Sequence, residues 1–176
     1  MQSFFFLLPI LARTTWSKSP SCPSATWSQV GRTVIGGTQG NATNQLHYPV
    51  GLFIDSNDCL FIADSRNGRV IKLEQGASIG TVVAGKLHTP TDISVDKQAW
   101  DVAIDDSGTI YIADSGNNRV IKWPMNATEG ILIGGGNNYG NRTDQLAAPR
   151  GVLVDHLGTV YVADTYNDRI IRIPLG

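Results

Sequence analysis

Along this chain, apolar and polar positions alternate in short runs, and each run is closed by a cluster of turn residues. Val50–Asp55 (VGLFID) alternates and stops at Ser56-Asn57-Asp58. Cys59–Ala63 follows, then Asp64–Gly68 (DSRNG), Arg69–Leu73 and Thr81–Gly85 (TVVAG). A period of two between Asn, Asp, Ser and Gly clusters predicts strands joined by tight turns. Asp64–Gly68 reads as the loop of a hairpin between two of them. Ala25–Trp27 and Arg32–Gly37 (RTVIGG) read as further short strands near the start.

The same stretch then recurs: Leu60–Leu73 (LFIADSRNGRVIKL), Ile110–Trp123 (IYIADSGNNRVIKW) and Val160–Ile173 (VYVADTYNDRIIRI). Asp64, Asp114 and Asp164 stand 50 residues apart, as do Arg69, Arg119 and Arg169. A fixed period of this length marks stacked supersecondary units. Four short antiparallel strands per unit is the content of one propeller blade. The expected fold is therefore all-β, with about three blades forming an open arc, a partial propeller or half of a dimeric ring. The loops Gly40–Pro49 (GNATNQLHYP) and Gly140–Pro149 (GNRTDQLAAP) match each other, whereas the middle unit departs. There both Thr91–Asp96 and Trp100–Asp105 resemble a first strand, as if a segment had been removed or a loop inserted. The last unit stops at Ile170–Pro174, its third strand. Arg32–Gly37, similar to Thr81–Gly85 and Ile131–Gly135, is the expected fourth strand that would cover that edge.

The segments Pro149–Arg172, Pro49–Lys72 and Ala99–Lys122 follow the pattern P-x-G-V-x-V-D-x-x-G-x-V-Y-V-A-D-x-x-N-x-R-I, and the chain resembles the NHL-repeat proteins through them. The middle copy departs at Ala99 and Asp101. The resemblance places repeats at about residues 46–73, 96–123 and 146–173 of a propeller region spanning 22–176. It implies a fold and no particular activity.

Composition narrows the function classes. Fourteen basic against fifteen acidic side chains leave a net charge of −1, with no electrostatic reason to expect nucleic acid. No apolar run reaches the roughly 18–20 residues that a membrane-crossing helix needs. Phe4–Ala12 (FFFLLPILA) has the length of a signal-peptide core, so residues 1–21 read as a secretory signal and polar segment. Three N-x-[ST] sequons, at Asn41, Asn126 and Asn141, are glycosylation candidates in a secreted chain. Cys22 and Cys59, the two cysteines, are the candidate disulfide in that compartment.

The recurring triplets Asp64/Asn67/Arg69, Asp114/Asn117/Arg119 and Asp164/Asn167/Arg169 look like sites but read as structure. An Asp closing a strand can accept N–H groups of the next turn, the Asn suits a positive φ, and the Arg can return across the hairpin to the carboxylate. Asp55, Asp105 and Asp155 read as turn formers. His47, His88 and His156 lack metal-ligand spacing, so no metal, cofactor or catalytic residue is expected. The expected function is a non-enzymatic, secreted module binding a protein or other partner through loops such as Thr38–Gln45 and Asn137–Gln145. The alternatives are a metal-dependent lyase or hydrolase, an RNA-binding NHL module, and an inactive shortened product. The assemblies open to such a chain are an arc or truncated propeller, which the blade count favours, and a homodimer completing a ring.

Overall fold

A computed structural model describes Ser28, residues 30–85 and residues 99–174. The chain divides into two units, Met1–Arg32 and Thr33–Gly176. In the first unit, the Ser28 hydroxyl donates to the Val30 carbonyl at 3.0 Å and accepts the Val30 N–H at 3.2 Å. The signal segment 1–21, Cys22 and Ala25–Trp27 lie outside the described residues.

The second unit is built of strands. β1 (Pro49–Ile54), β2 (Leu60–Asp64), β3 (Arg69–Leu73) and β4 (Thr81–Gly85) make one antiparallel sheet in sequence order. β5 (Ala99–Ile104), β6 (Ile110–Asp114), β7 (Arg119–Trp123) and β8 (Ile131–Gly135) make the second, and β9 (Pro149–Val154), β10 (Val160–Asp164) and β11 (Arg169–Ile173) the third. These are three propeller-type blades, open and not closed. Of the two competing first strands in the middle unit, Ala99–Ile104 forms β5; Thr91–Asp96 lies outside the described residues.

Each central hairpin is pinned in the same register, with Leu60 opposite Leu73 and Asp64 opposite Arg69 in the first blade. Its turn is a short 3-10 segment, at Ser65–Asn67, Ser115–Asn117 and Thr165–Asn167. The left-handed conformation falls one residue later than the sequence suggests. It is taken by Gly68, Asn118 and Asp168, with φ of 60°, 52° and 50°. Asn67, Asn117 and Asn167 remain inside the 3-10 turn, where their amides point back at the Asp. Gly, Asn and Asp are the residues that enter the left-handed region at least cost.

The core lies between blades. Phe61, Ala63, Val70 and Ala84 of the first blade pack on Val102, Ile104, Ile110 and Ile112 of the second. The opposite face of the second blade, with Ala103, Tyr111, Ala113 and Val120, packs on Val152, Val160 and Val162 of the third. Strand geometry explains this, because successive side chains point to opposite faces, and β6, buried along its whole length, is apolar on both. Each such Val or Ile contributes roughly 1.5–3 kcal/mol by burial.

One expectation is corrected. Thr33–Gly37 forms no strand, and the third sheet ends at β11. Instead the Gly36 N–H donates to the Asn44 carbonyl at 3.2 Å, which keeps the segment with the loop leading into β1. A fourth strand needs a β11 edge within reach, and β11 is on the far blade of an arc that does not close.

Candidate functional site

At one end of each blade the triplets form a clamp. The buried Asp64 carboxylate accepts the His47 N–H on Oδ1 at 2.7 Å. Its Oδ2 accepts Asn67 Nδ2 at 2.8 Å and Arg69 Nε at 2.7 Å. The rest of the guanidinium reaches back along the chain. Arg69 Nη1 donates to the Asn41 carbonyl at 2.6 Å, and Nη2 to Ala42 and Gln45 carbonyls at 2.9 and 3.1 Å. Asn67 adds a bond to the Gly40 carbonyl at 2.9 Å. One ion pair thus fastens the whole Gly40–Gln45 loop by its backbone.

The third blade repeats this atom for atom. Asp164 accepts the Ala147 N–H at 2.6 Å, Asn167 Nδ2 at 2.8 Å and Arg169 Nε at 2.7 Å. Arg169 donates to the carbonyls of Asn141, Arg142 and Gln145, at 2.7, 2.8 and 2.9 Å. In the middle blade Arg119 Nε meets Asp114 Oδ2 at 2.7 Å, and Asn117 Nδ2 bonds the same carboxylate. All three triplets come together within their own blades, and none converges with another. Asp64 and Asp164 accept from an N–H well upstream, where the sequence pointed to the following turn. The Asp–Arg pairing is as expected.

At the other end of the blades stand the second carboxylates. Asp55 Oδ1 accepts the N–H groups of Asn57 and Cys59, both at 2.9 Å. Asp105 takes the Ser107 and Thr109 N–H groups, the Ser107 hydroxyl at 2.6 Å and the Tyr111 hydroxyl at 3.0 Å. Burial works against the charged form of Asp105, but these donors together hold its carboxyl below the usual range. The Tyr111 hydroxyl is pushed up to about 12, by burial first and then by the Asp105 carboxylate. Asp155 repeats the turn with Leu157 and Thr159, both at 2.9 Å.

The remaining expectations fall as follows. Asn41, Asn126 and Asn141 are exposed, and Asn126 sits at a positive φ in the turn after β7. Cys59 is a buried free thiol 3.9 Å from the Asn57 carbonyl. His47 Nε2 lies 3.0 Å from Gln39 Nε2, in a hollow of about 530 Å³ also lined by Tyr48 and Arg66. His156 is exposed on a turn, and His88 lies outside the described residues.

Sequence reasoning missed two features. Asp101 takes the place that Gly51 and Gly151 hold in the other blades, and its Oδ2 accepts the Val152 N–H at 3.1 Å, linking the second blade to the third. Burial pushes the Asp101 carboxyl up, against the lowering pull of the Val152 and Val102 N–H groups. Its departure from the repeat was the available signal. The second feature is a strip of arginines on aromatic rings. The Arg66 guanidinium lies 5.3 Å from the Tyr48 ring, and that of Arg150 lies 4.4 Å from Trp100 and 5.1 Å from Tyr166. Arg150 Nη2 also donates to the Tyr166 hydroxyl at 3.2 Å. Placing Val50, Trp100 and Arg150 on the 50-residue ruler would have flagged it.

Residues 97–123 match the NHL repeat family. No curated protein matches the chain. Among solved structures, it resembles a structural genomics protein of unknown function from Bacteroides thetaiotaomicron. The TM-score is 0.59 at 15% identity, over 78% of this chain and 37% of that one. It is also similar to a streptogramin B lyase structure, with a TM-score of 0.49 at 15% identity over 72% of this chain and 37% of that one. A nidogen/laminin complex gives a TM-score of 0.48 at 20% identity, over 65% of this chain and 38% of that one. The chain therefore spans less than half the length of each of these solved chains. Residues 97–123 thus match one NHL repeat, and the fold around them is three propeller-type blades.

Proposed function

We propose that the chain is a non-enzymatic, secreted module that binds a protein partner through the loops at the clamped end of its blades. The observation that carries this reading is the strip of Arg66 on Tyr48 and Arg150 between Trp100 and Tyr166. Among the described residues, neither guanidinium has a carboxylate partner. Exposed aromatic rings and arginines are the side chains enriched where proteins meet. Stacking on a ring is worth only about 0.5–1 kcal/mol at an exposed site, and, Arg150 Nη2 apart, which donates to the Tyr166 hydroxyl, the guanidinium N–H groups can turn to an acidic partner. The neighbouring loops Gly40–Gln45 and Gly140–Gln145 are already fastened by Arg69 and Arg169, which lowers the ordering cost of binding.

The test expresses the full chain in secretory cells and compares it with the Arg66→Ala/Arg150→Ala variant as bait in conditioned medium. The chain is expected in the medium with its N-terminal segment removed. A stoichiometric protein partner is expected on the wild type and weakened at least about tenfold on the variant, which is about 1.4 kcal/mol. Capture that the double substitution leaves unchanged would overturn the reading.

A further inference from the structure

The two arginines of the strip are not built alike. The Arg150 guanidinium lies 4.4 Å from the Trp100 ring and 5.1 Å from the Tyr166 ring, and its Nη2 donates to the Tyr166 hydroxyl at 3.2 Å. Arg66 has one ring, Tyr48, at 5.3 Å, and no side-chain hydrogen bond among the described residues. Trp100 stands on β5, Arg150 on β9 and Tyr166 in the turn after β10, so two blades together hold the one guanidinium. The position of Tyr166 is open by its place at the blade end. Arg66 occupies the same position in the first blade and is exposed with the second blade beside it.

We propose that Arg150 is a preformed fork for a single carboxylate, an Asp or Glu side chain of the partner, and that Arg66 adds only charge. The inference rests on the reading of the strip as the partner surface. A guanidinium has two edges that offer a parallel pair of N–H groups, Nε with Nη2 and Nη1 with Nη2. Tyr166 takes one Nη2 hydrogen, and whichever it takes, one edge keeps both of its N–H groups. No other group among the described residues accepts from Arg150. Two rings that already hold the side chain lower the ordering cost of pairing, which a lone surface arginine meets in full.

The charges around the fork select the ligand. Asp101 follows Trp100 on β5, with its Oδ2 3.9 Å from where a Cβ on Gly151, the neighbour of Arg150, would stand. Asp168 is exposed two residues beyond Tyr166. Near two carboxylates, a phosphoryl group carrying close to two negative charges is opposed by the local field, and a nucleic-acid backbone more so. A carboxylate carries one charge and matches the fork in geometry, so direction makes up for what the field withholds.

The experiment follows the Arg150 Nε–H and Trp100 indole N–H signals by NMR in the full secreted chain, freed of any N-glycans. The probes are the capped tripeptide Gly-Glu-Gly and its Gln and phosphoserine counterparts. Arg150→Lys identifies the Arg150 signal, and the Trp100 signal reports on the site in that variant. Both arginines are exposed, so Arg150→Lys and Arg66→Lys keep the fold, which circular dichroism checks. The Glu peptide is expected to shift both signals saturably and the Gln peptide to shift neither. Arg150→Lys keeps the charge and loses the fork, so binding is expected to weaken at least about tenfold. Arg66→Lys is expected to stay within about twofold of wild type.

No saturable shift with the Glu peptide would overturn the proposal. So would equal losses from the two lysine variants, or a phosphoserine peptide that binds as tightly as the Glu peptide. Capture of a partner from conditioned medium separates this proposal from the reading beneath it. Capture lost on Arg66→Ala/Arg150→Ala but kept on Arg150→Lys would remove the fork and leave the strip as the partner surface.

Discussion

The two ends of each blade carry the same side chain, an aspartate closing a strand, and use it differently. At the turn end, Asp55, Asp105 and Asp155 bond N–H groups two and four residues ahead, and a partly exposed carboxylate shapes its own loop. At the clamped end, Asp64 and Asp164 are buried and meet an arginine, and that arginine holds carbonyls 24 to 28 residues upstream. The lesson lies in the partner. An acceptor of local N–H groups organises a turn, whereas a buried acid paired with a five-donor cation organises whatever backbone passes within its reach. The loops that carry the sequons at Asn41 and Asn141 are set by the second kind.

Breaking the clamp should have the largest effect. Arg69→Ala leaves Asp64 buried without its counter-charge and frees three loop carbonyls, with an expected loss of about 3–5 kcal/mol in urea unfolding. Arg169→Ala should cost less, because its side chain is 27% exposed against 11% for Arg69. Gly51→Ala is next. An added Cβ would stand 2.5 Å from the Asp101 Cα, a backbone atom, so the first two blades must move apart, at about 1–3 kcal/mol. At the turn end, Asp105→Ala should cost about 1–2 kcal/mol, with the proposed loop surface unaffected. A loss there as large as for Arg69 would erase the distinction between the ends.

The smallest effects are in pH. Asp105 is held below its ordinary value in the folded chain, so its stabilisation is present above the unfolded pKa, about 3.9, and is lost as pH falls through the folded one. Asp101 is raised, so the sign reverses. Its contribution is fully present below the unfolded pKa and is lost as pH rises through the folded value. Asp101→Asn, which keeps an acceptor for the Val152 N–H, should remove that loss and leave the urea midpoint flatter above the ordinary carboxylate range. An unchanged pH profile would sink this assignment.

Much of the blade was legible in the sequence alone. Strand alternation, the Asp64–Arg69 pairing and the Asp55 turn all rest on residues close together in the chain, and the 50-residue ruler repeats them. Local geometry is short-ranged, so a pattern of neighbours determines it. Three things were decided only by the tertiary structure. The left-handed residue is Gly68, Asn118 or Asp168 and not the preceding Asn, because that Asn amide is drawn to the carboxylate inside the 3-10 turn. Arg150 reaches Trp100 from another blade, a contact that no spacing within one blade describes. Last, runs such as Ile110–Ala113 put apolar side chains on both faces of a sheet. Which of those faces finds a neighbour depends on how the blades stack, and so Val120 is buried while Ile170, its equivalent, stands open.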